Sequence, residues 1–450
     1  MTEPNEDFER RLASWLSSDA AADEPAGLLQ TVVARTARTR RRPAWAARSG
    51  VMPPFGVGFG PAGQLSRGAR LLAVAAVIAT LVGGLVAVGS IRRLPPPTGP
   101  ARAGLIATDS GGDIVIFDAD GSHPRNLTSS PDLDTSPSFS PDGTRIAYWT
   151  AADLGQPASL WVMNADGSAK HSVTGSTDFA GSQNLQAVWA PDSRRLAFAV
   201  GDYYSSMQLY VVNADGTDLE HVGNGTLSRS DPAWSPDGRL IAFRGHTIGV
   251  LPDAFPADPA IGVYVIAPDG TGQTKVSRSA RAGGAPNSVS FGGPYAGTAP
   301  SWSPDGRSLL FATGATDHHS LAIASLGGLT EQALTLPAGD HLLPIFSPDG
   351  SQIAFEEFSA PAEQATPYVV NTDGTGLHPV TPPGSGPLNP IFWSPDGRTV
   401  VTYGPNVTAI ELVPANPATG ASIQPTISIQ LGDPPPIGGP ERASWQRLAP

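Results

Sequence analysis

SFSPDGTRIAY, at residues 138–148, decides the fold, because the same pattern returns five more times along the chain. The other copies are VWAPDSRRLAF (188–198), AWSPDGRLIAF (233–243), SWSPDGRSLLF (301–311), IFSPDGSQIAF (345–355) and FWSPDGRTVVTY (392–403). Their aspartates are separated by 50, 45, 68, 44 and 47 residues. A period near 45 residues is typical of the blades of a β-propeller and not of helical repeats.

Each copy has the composition of two strands joined by a tight turn. An aromatic residue ends the first strand, proline presets φ in the turn, aspartate caps the turn and glycine accepts a positive φ. The apolar run that follows is typical of a short buried strand. The repeated aspartates are therefore expected to hold turns and not to act in catalysis: Asp142, Asp192, Asp237, Asp305, Asp349 and Asp396.

A second repeated element adds two more strands to each repeat. Its clearest copies, LWVMNADGS (160–168) and LYVVNADGT (209–217), each read as a strand that ends in an Asp-Gly hairpin turn. A short strand such as Asn126-Leu127-Thr128 follows the turn. Each repeat thus predicts four antiparallel strands, called a to d below, and the whole predicts an all-β propeller.

The number of blades depends on how the two ends of the propeller region pair. Six SPDG-type hairpins occur against seven copies of the second element. Ala443-Ser444-Trp445-Gln446 has the pattern of a seventh strand a, and residues 104–108 have that of the strand b that should follow it. Pairing them would close the ring and remove free sheet edges, which predicts seven blades, with six as the alternative.

Residues 71–91 form an uncharged apolar run, LLAVAAVIATLVGGLVAVGSI. As a helix it would be about 31 Å long, enough to cross the hydrocarbon core of a bilayer. A retained membrane anchor is favoured over a cleaved signal peptide, for which the run is long, and over a buried core helix. The arginine-rich stretch 35–48 predicts a cytoplasmic N-terminus by the positive-inside rule.

These patterns divide the chain into four parts. Residues 1–70 are predicted to be a cytoplasmic tail, helical or disordered, with an arginine-rich juxtamembrane part. A transmembrane helix at 71–91 and a linker at 92–103 precede the propeller, which spans 104–448 outside the cytoplasm. The predicted localisation is the cell membrane, crossed once.

Composition excludes several classes of function. The formal net charge is −12, and all of the acidic excess lies after residue 70, so we expect no nucleic-acid partner. The chain has no cysteine, which excludes disulfides and thiolate metal sites. It contains no G-x-S-x-G, H-E-x-x-H or P-loop motif, and we expect neither an enzyme nor a cofactor or metal.

The SPDG repeats resemble those of the TolB-like, WD-like β-propeller family over residues 104–448. The resemblance implies a propeller that binds proteins or peptides, although the same blade also occurs as an accessory domain of prolyl oligopeptidase-like enzymes. The soluble TolB protein carries an N-terminal α/β domain, whereas this sequence has a predicted anchor, so a role in the Tol system is not implied. The short tail before an anchor is similar to that of membrane-bound anti-sigma factors.

The expected function is therefore binding. The propeller is expected to take an extracytoplasmic protein, peptide or glycan, while the tail engages a cytoplasmic regulatory protein such as a sigma factor. The alternatives are a structural envelope-binding module with an inert anchor, and a hydrolase that works in the central funnel. A hydrolase would need convergent acid, base or metal groups around the axis, and no spacing in the sequence indicates them.

Ligand contacts are predicted on the face that carries the b–c loops and the d–a connections. The a–b and c–d turns of the opposite face are short and uniform, whereas the loops, among them 149–158, 244–261 and 356–366, vary in length. Loops placed by a rigid scaffold commonly carry recognition. The candidate contact residues are Trp149, Asp202, Tyr203, Tyr204, His246, Asp317, His318 and Glu356.

Overall fold

A computed structural model describes residues 102–153, 156–175, 187–202, 206–249, 260–277, 299–315, 318–359, 364–382, 391–403, 409–416, 427–430 and 444–448. The chain divides into two units, Met1–Val88 and Gly89–Pro450. The predicted tail and the predicted transmembrane helix at 71–91 lie outside the described residues. The described part of the chain contains no helix, and so none that is long and apolar enough to cross a membrane.

The described part of the second unit is a seven-bladed β-propeller, and each blade is one four-stranded antiparallel sheet with its strand a innermost. Blade 1 contains β1 (Arg102–Ser110), β2 (Asp113–Phe117), β3 (Arg125–Asn126) and, as its strand a, β28 (Ser444–Leu448). Blade 2 contains β4 (Leu133–Phe139), β5 (Arg145–Ala151), β6 (Ala158–Asn164) and β7 (His171–Ser172). Blade 3 contains β8 (Ala187–Trp189), β9 (Arg195–Asp202), β10 (Ser206–Asn213) and β11 (Glu220–His221).

The remaining blades follow in chain order. Blade 4 contains β12 (Leu227–Trp234), β13 (Ile241–Thr247), β14 (Gly262–Ile266) and β15 (Thr274–Lys275). Blade 5 contains β16 (Ser301–Trp302), β17 (Ser308–Ala315), β18 (His318–Ser325) and β19 (Thr330–Ala333). Blade 6 contains β20 (Asp340–Phe346), β21 (Gln352–Ser359), β22 (Gln364–Asn371) and β23 (His378–Pro379). Blade 7 contains β24 (Phe392–Trp393), β25 (Thr399–Tyr403), β26 (Ala409–Pro414) and β27 (Ile427–Gln430).

Blade 1 is closed by the two ends of the propeller region. Strand β28 pairs antiparallel with β1, so that Trp445 lies opposite Ile106 and Ser444 lies opposite Ala107. The Gln446 side chain holds the closing strand, because its amide donates to the Gly143 carbonyl at 2.6 Å and accepts the Leu105 N–H at 3.1 Å. The predicted closure and the seven blades are confirmed, and the six-blade alternative is wrong.

The a–b turns are built as the sequence predicts. The Ser235 hydroxyl donates to the Asp237 carboxylate at 2.7 Å, and the N–H of Arg239 donates to the same oxygen at 3.1 Å. The bond from Ser235 lowers the pKa of Asp237, so the carboxylate stays ionised and holds the turn. Gly238 has the positive φ of 69° that the turn requires. All six repeated aspartates accept hydrogen bonds within their own turns, which confirms their structural role.

The hydrophobic core is divided into wedges between neighbouring blades. In the wedge between blades 2 and 3, Trp149 meets Phe198 edge to face, with ring centroids 5.5 Å apart. Side chains alternate along a strand, so each strand b supplies residues to the wedges on both of its sides. Burial on both faces explains why strands b read as continuous apolar runs in the sequence.

The face that carries the b–c loops and the d–a connections is called the loop face below. The b strands continue further towards it than their apolar runs indicate. Backbone pairing extends to Ala151 in β5, to Thr247 in β13 and to Ser359 in β21. The predicted loops that begin at residues 149, 244 and 356 are therefore wrong at their first residues, which belong to strands. The physical reason is that strand b keeps its main-chain hydrogen bonds, to strand c in β5 and β21 and to strand a in β13, where the side chains become polar.

Candidate functional site in the central channel

The seven inner strands surround a cavity of about 530 Å³ on the propeller axis. Each blade contributes to it the residue that precedes the aromatic of strand a. In the order of blades 1 to 7, these residues, called the channel ring, are Ser444, Ser138, Val188, Ala233, Ser301, Ile345 and Phe392. Because side chains alternate along a strand, the aromatic lies in a wedge between blades while its neighbour faces the channel.

Tryptophan side chains connect the channel ring from blade to blade. The indole N–H of a strand-a tryptophan donates to the carbonyl of the ring residue in the preceding blade, at 2.9 to 3.3 Å, in Trp189, Trp234, Trp302 and Trp393. Blades 2 and 6 carry phenylalanine instead. There the backbone N–H of Phe139 donates to the Ser444 hydroxyl, and that of Phe346 donates to the Ser301 hydroxyl. These bonds fix the lining of the channel relative to its neighbours.

Large apolar side chains lie next to one another in the channel ring, and hydroxyl groups flank them. Blades 6 and 7 supply the large apolar side chains of Ile345 and Phe392, whereas blades 1 and 2 supply Ser444 and Ser138. Arg447, in strand β28, is the one charged residue among the described residues that line the cavity. Burial lowers the pKa of its guanidinium.

The cavity reaches from the a–b turns to a set of bulges in the inner strands. Its lining at the turn end includes the SPDG prolines Pro236, Pro304 and Pro348. At the other end, three lining prolines follow non-glycine residues of positive φ, in the pairs Ser136-Pro137, Asp231-Pro232 and Leu343-Pro344. A register shift marks a β-bulge at each pair. Bulges re-aim the side chains that follow them, and here they direct proline rings towards the axis.

Three of the eight predicted contact residues have described side chains, and all three are buried in strands. Trp149 is 1% exposed and belongs to the wedge between blades 2 and 3. Glu356 is 1% exposed in β21, and His246 is 7% exposed in β13. They lie in three different blades, and none of them lines the channel cavity. Trp149 packs in the core, and ligand contact by all three stays a prediction.

The other five candidates lie wholly or partly outside the described residues. Tyr203, Tyr204 and Asp317 are outside them entirely. Asp202 ends strand β9 and His318 begins strand β18, with only their backbones described. The prediction that ligands bind on the loop face therefore remains a prediction.

A buried polar cluster between blades 5 and 6 has no counterpart in the sequence-based candidates. Asp340 accepts hydrogen bonds from the backbone N–H of His319, at 3.0 Å, and from its ring Nδ1. Burial raises the pKa of Asp340, but the bonds from His319 outweigh it, and the net pKa is lowered. Burial also lowers the pKa of the neighbouring His341, whose ring meets Phe355 edge to face. Within the described ranges no group of three or more metal-binding side chains occurs.

The channel ring and Arg447 were both missed by reasoning from the sequence. The ring has a periodic signal, since its residues stand immediately before the repeated aromatics. Arg447 has a weaker one: it stands two residues after Trp445, at the position that carries the SPDG proline in the other blades.

Comparisons with known proteins agree with this architecture. The family model of the TolB beta propeller domain matches residues 102–253. A protein TolB homolog of Chlorobium chlorochromatii is 30% identical over 150 residues, which cover 33% of this chain and 28% of that protein. The uncharacterized peptidase YuxL of Bacillus subtilis is 31% identical over 116 residues, which cover 24% of this chain and 16% of that protein. The chain thus matches less than a third of the length of these relatives.

Among solved structures, an oligogalacturonate lyase in complex with manganese superposes with a TM-score of 0.50 at 17% identity. The match covers 68% of this chain and 83% of that chain, and it shows the fold alone. Fold and repeats together define the class, a seven-bladed β-propeller with a cavity on its axis. Within that class, the chain is similar to the TolB-like β-propeller family, whose model matches its residues 102–253.

Proposed function

We propose that this chain is a membrane-anchored binding protein whose propeller takes a protein or peptide ligand outside the cytoplasm. The observation that carries the proposal is the channel cavity of about 530 Å³. Its volume lies within the range of about 300–1,000 Å³ that ligand pockets occupy, and its apolar lining with a few polar groups is typical of them. Similarity to the TolB-like family supports a protein ligand.

The anchor and the tail complete the proposal. The apolar run 71–91 and the arginines before it support one membrane span with a cytoplasmic N-terminus. The tail would then engage a cytoplasmic regulator such as a sigma factor. Reporter fusions at residue 60 and at the C-terminus test the topology. At residue 60, only a reporter enzyme that works in the cytoplasm should be active. At the C-terminus, only a reporter enzyme that works outside the cytoplasm should be active. A cytoplasmic C-terminal reporter would contradict it.

Site-specific photocrosslinking of the full chain in cells tests the ligand. A crosslinker at Val188, in the channel ring, should capture a partner that one at Leu219, 40% exposed in the c–d hairpin of blade 3, does not. Capture at both positions or at neither would count against a channel ligand. Deleting residues 2–60 removes most of the tail. The crosslink formed at Val188 should then persist, whereas any crosslink between the tail and a cytoplasmic protein should be lost.

Catalysis is the alternative, since one relative is named a peptidase. The purified full chain in detergent is expected to leave fluorescein-labelled casein intact. Time-dependent release of label, lost on heating the protein, would instead establish a hydrolase.

A further inference from the structure

The connection between blades 3 and 4 carries an Asn-Gly pair, Asn224-Gly225, between β11 and β12. Both residues are exposed, and Gly225 holds φ at 90°, in the left-handed region that glycine adopts readily. A Cβ at Gly225 would meet no atom within 4 Å beyond its chain neighbours, so the space around it is open. An unhindered glycine nitrogen can approach the side-chain carbonyl carbon of the asparagine before it. This pair therefore has the composition and the access for a reaction between side chain and backbone.

A free N–H distinguishes this pair from other asparagine pairs in the described part of the chain. The residue after the asparagine donates its N–H to a main-chain carbonyl at 2.8 to 3.0 Å in Asn126-Leu127, Asn164-Ala165, Asn213-Ala214 and Asn371-Thr372. Among the described residues, neither the N–H of Gly225 nor the side-chain amide of Asn224 has a hydrogen-bond partner. Both reacting groups of Asn224-Gly225 are thus available, whereas the nitrogen is engaged in the other four pairs.

A buried arginine binds the peptide group that joins Asn224 to Gly225. Arg229 is 1% exposed in β12, and its Nη2 donates to the main-chain carbonyl of Asn224 at 2.7 Å. Its other acceptors are the Leu227 carbonyl at 2.9 Å and the Gln273 side-chain oxygen at 3.0 Å. Within the described ranges, these acceptors are all neutral and no carboxylate binds the guanidinium. The peptide group after Asn224 therefore lies against a buried cation that has no anionic partner there.

The bond from Arg229 favours loss of the proton from the Gly225 nitrogen. That nitrogen and the carbonyl oxygen of Asn224 belong to one conjugated amide, so negative charge left on the nitrogen is shared with the oxygen. Arg229 binds this oxygen, and a hydrogen bond between two charged groups is stronger than one to a neutral carbonyl. Burial of the guanidinium strengthens the interaction further. The deprotonated nitrogen is the nucleophile that a side-chain carbonyl carbon requires.

We propose that Asn224-Gly225 is a self-modification site, at which the hydrogen bond from Arg229 promotes the conversion of Asn224 to isoaspartate. The Gly225 nitrogen bonds to the side-chain carbon of Asn224, its proton passes to the side-chain amide nitrogen, and ammonia leaves to give a succinimide. Water then adds to the main-chain carbonyl carbon of residue 224, and the bond from that carbon to the Gly225 nitrogen breaks. The peptide link now runs through the side-chain carbon.

The position of Arg229 also selects the product. Water can open the succinimide at either carbonyl, and the guanidinium polarises the main-chain one. Opening there turns the oxygen that Arg229 already binds into part of a free carboxylate, which supplies the buried cation with an anionic partner. Opening at the side-chain carbonyl would give aspartate and leave a neutral carbonyl at Arg229. Isoaspartate is therefore the expected product.

Incubation of the purified full chain in detergent micelles at neutral pH tests the proposal. Mass spectrometry of the tryptic peptide that ends at Arg229 measures conversion of the amide to an acid, and labelling by an isoaspartyl methyltransferase measures the isoaspartate share. The same chain unfolded in urea is the reference, because it lacks the bond from Arg229. The folded chain should convert at least about tenfold faster, the effect of one hydrogen bond to a charged group, with a larger isoaspartate share.

Three variants separate the contributions. Arg229→Gln should slow conversion to about the rate of the unfolded chain and reduce the isoaspartate share, while Arg229→Lys should retain part of both effects. Ala214→Gly is the matched control, because it creates an Asn-Gly pair whose N–H position is bonded to the Arg194 carbonyl and whose asparagine side chain is bonded to Thr217. Asn213 should stay unmodified in it, and Asn224 should convert as before. Thermal unfolding of each variant shows whether the fold is intact.

Folded chain that converts no faster than the unfolded chain would overturn the inference, and so would an unchanged rate in folded Arg229→Gln. Aspartate as the main product would overturn the role of Arg229 in opening the ring. Modification of Asn213 in Ala214→Gly would show that the Asn-Gly sequence suffices without a free N–H. If Arg229→Gln does not fold, the comparison of the folded with the urea-unfolded chain still decides.

Discussion

Replacing Trp302 by phenylalanine tests whether indole hydrogen bonds hold neighbouring blades in register. Trp302 is 9% exposed in the wedge between blades 4 and 5, and its indole N–H donates to the Ala233 carbonyl at 3.0 Å. Losing that bond costs about 0.5–1.5 kcal/mol of unfolding free energy. The smaller ring buries roughly 40 Å² less apolar surface, or about 1 kcal/mol more. The expected loss is therefore about 1.5–2.5 kcal/mol.

The chain itself suggests a rescue. In blades 5 and 6, the backbone N–H of Phe346 donates to the hydroxyl of the preceding ring residue, Ser301, at 3.1 Å. Combining Ala233→Ser with Trp302→Phe reproduces this pair, and the double variant should regain about 0.5–1.5 kcal/mol. Ala233→Ser alone should be nearly neutral because the side chain faces the channel.

Urea unfolding of the four proteins in detergent, followed by near-ultraviolet circular dichroism, measures the cycle. The dependence of the unfolding free energy on urea concentration must be similar in all four proteins before their unfolding midpoints are converted to free energies. A Trp302→Phe variant as stable as the parent, or a double variant no more stable than Trp302→Phe, would refute the reasoning.

Three further predictions concern turns, closure and pH. Gly306→Ala should cost about 1 kcal/mol because the turn holds φ at 70°, while the crosslink formed at Val188 stays unchanged; loss of that crosslink at full stability would contradict this. Gln446→Ala removes the bonds to Gly143 and Leu105, and limited proteolysis should then release the C-terminal strand sooner; an unchanged rate would contradict its role in closure. Burial lowers the pKa of His341, so its contribution to stability is full above about pH 6.5 and is lost as the pH falls from there through the lower pKa of the folded state. His341→Phe should reduce the loss of urea midpoint between pH 7.5 and 5.5, and an identical loss would exclude His341 as its source.

The strand order of a blade could be predicted because its determinants are local. Ser-Pro-Asp-Gly closes its turn through bonds between residues two to five apart, as between Ser235 and Leu240 at 2.9 Å. The closing pair β28 and β1 could also be predicted, although its residues are more than 300 positions apart. There the repeat leaves one strand unmatched at each end, and free edges are unfavourable.

The candidate site could not be predicted in the same way. Trp149, His246 and Glu356 were placed in loops because polar residues follow the apolar run of strand b in those blades. Whether a side chain at the end of a strand is buried depends on the next blade, and the packed wedge around Trp149 is invisible in the local sequence. The burial of Trp149 was decided by contacts between blades.

By itself, the sequence determined that the blades are four-stranded, where their turns lie and why the turn aspartates are structural, and it favoured seven blades over six. These follow from backbone preferences and hydrogen bonds within a few residues. Only the tertiary structure decided which side of each inner strand faces the axis, and hence that Phe392 and Ile345 line a cavity. It also decided that Arg447 joins them, because ring closure brings β28 between blades 2 and 7. The channel is made of side chains from seven separate sheets, and no local pattern specifies how seven sheets meet.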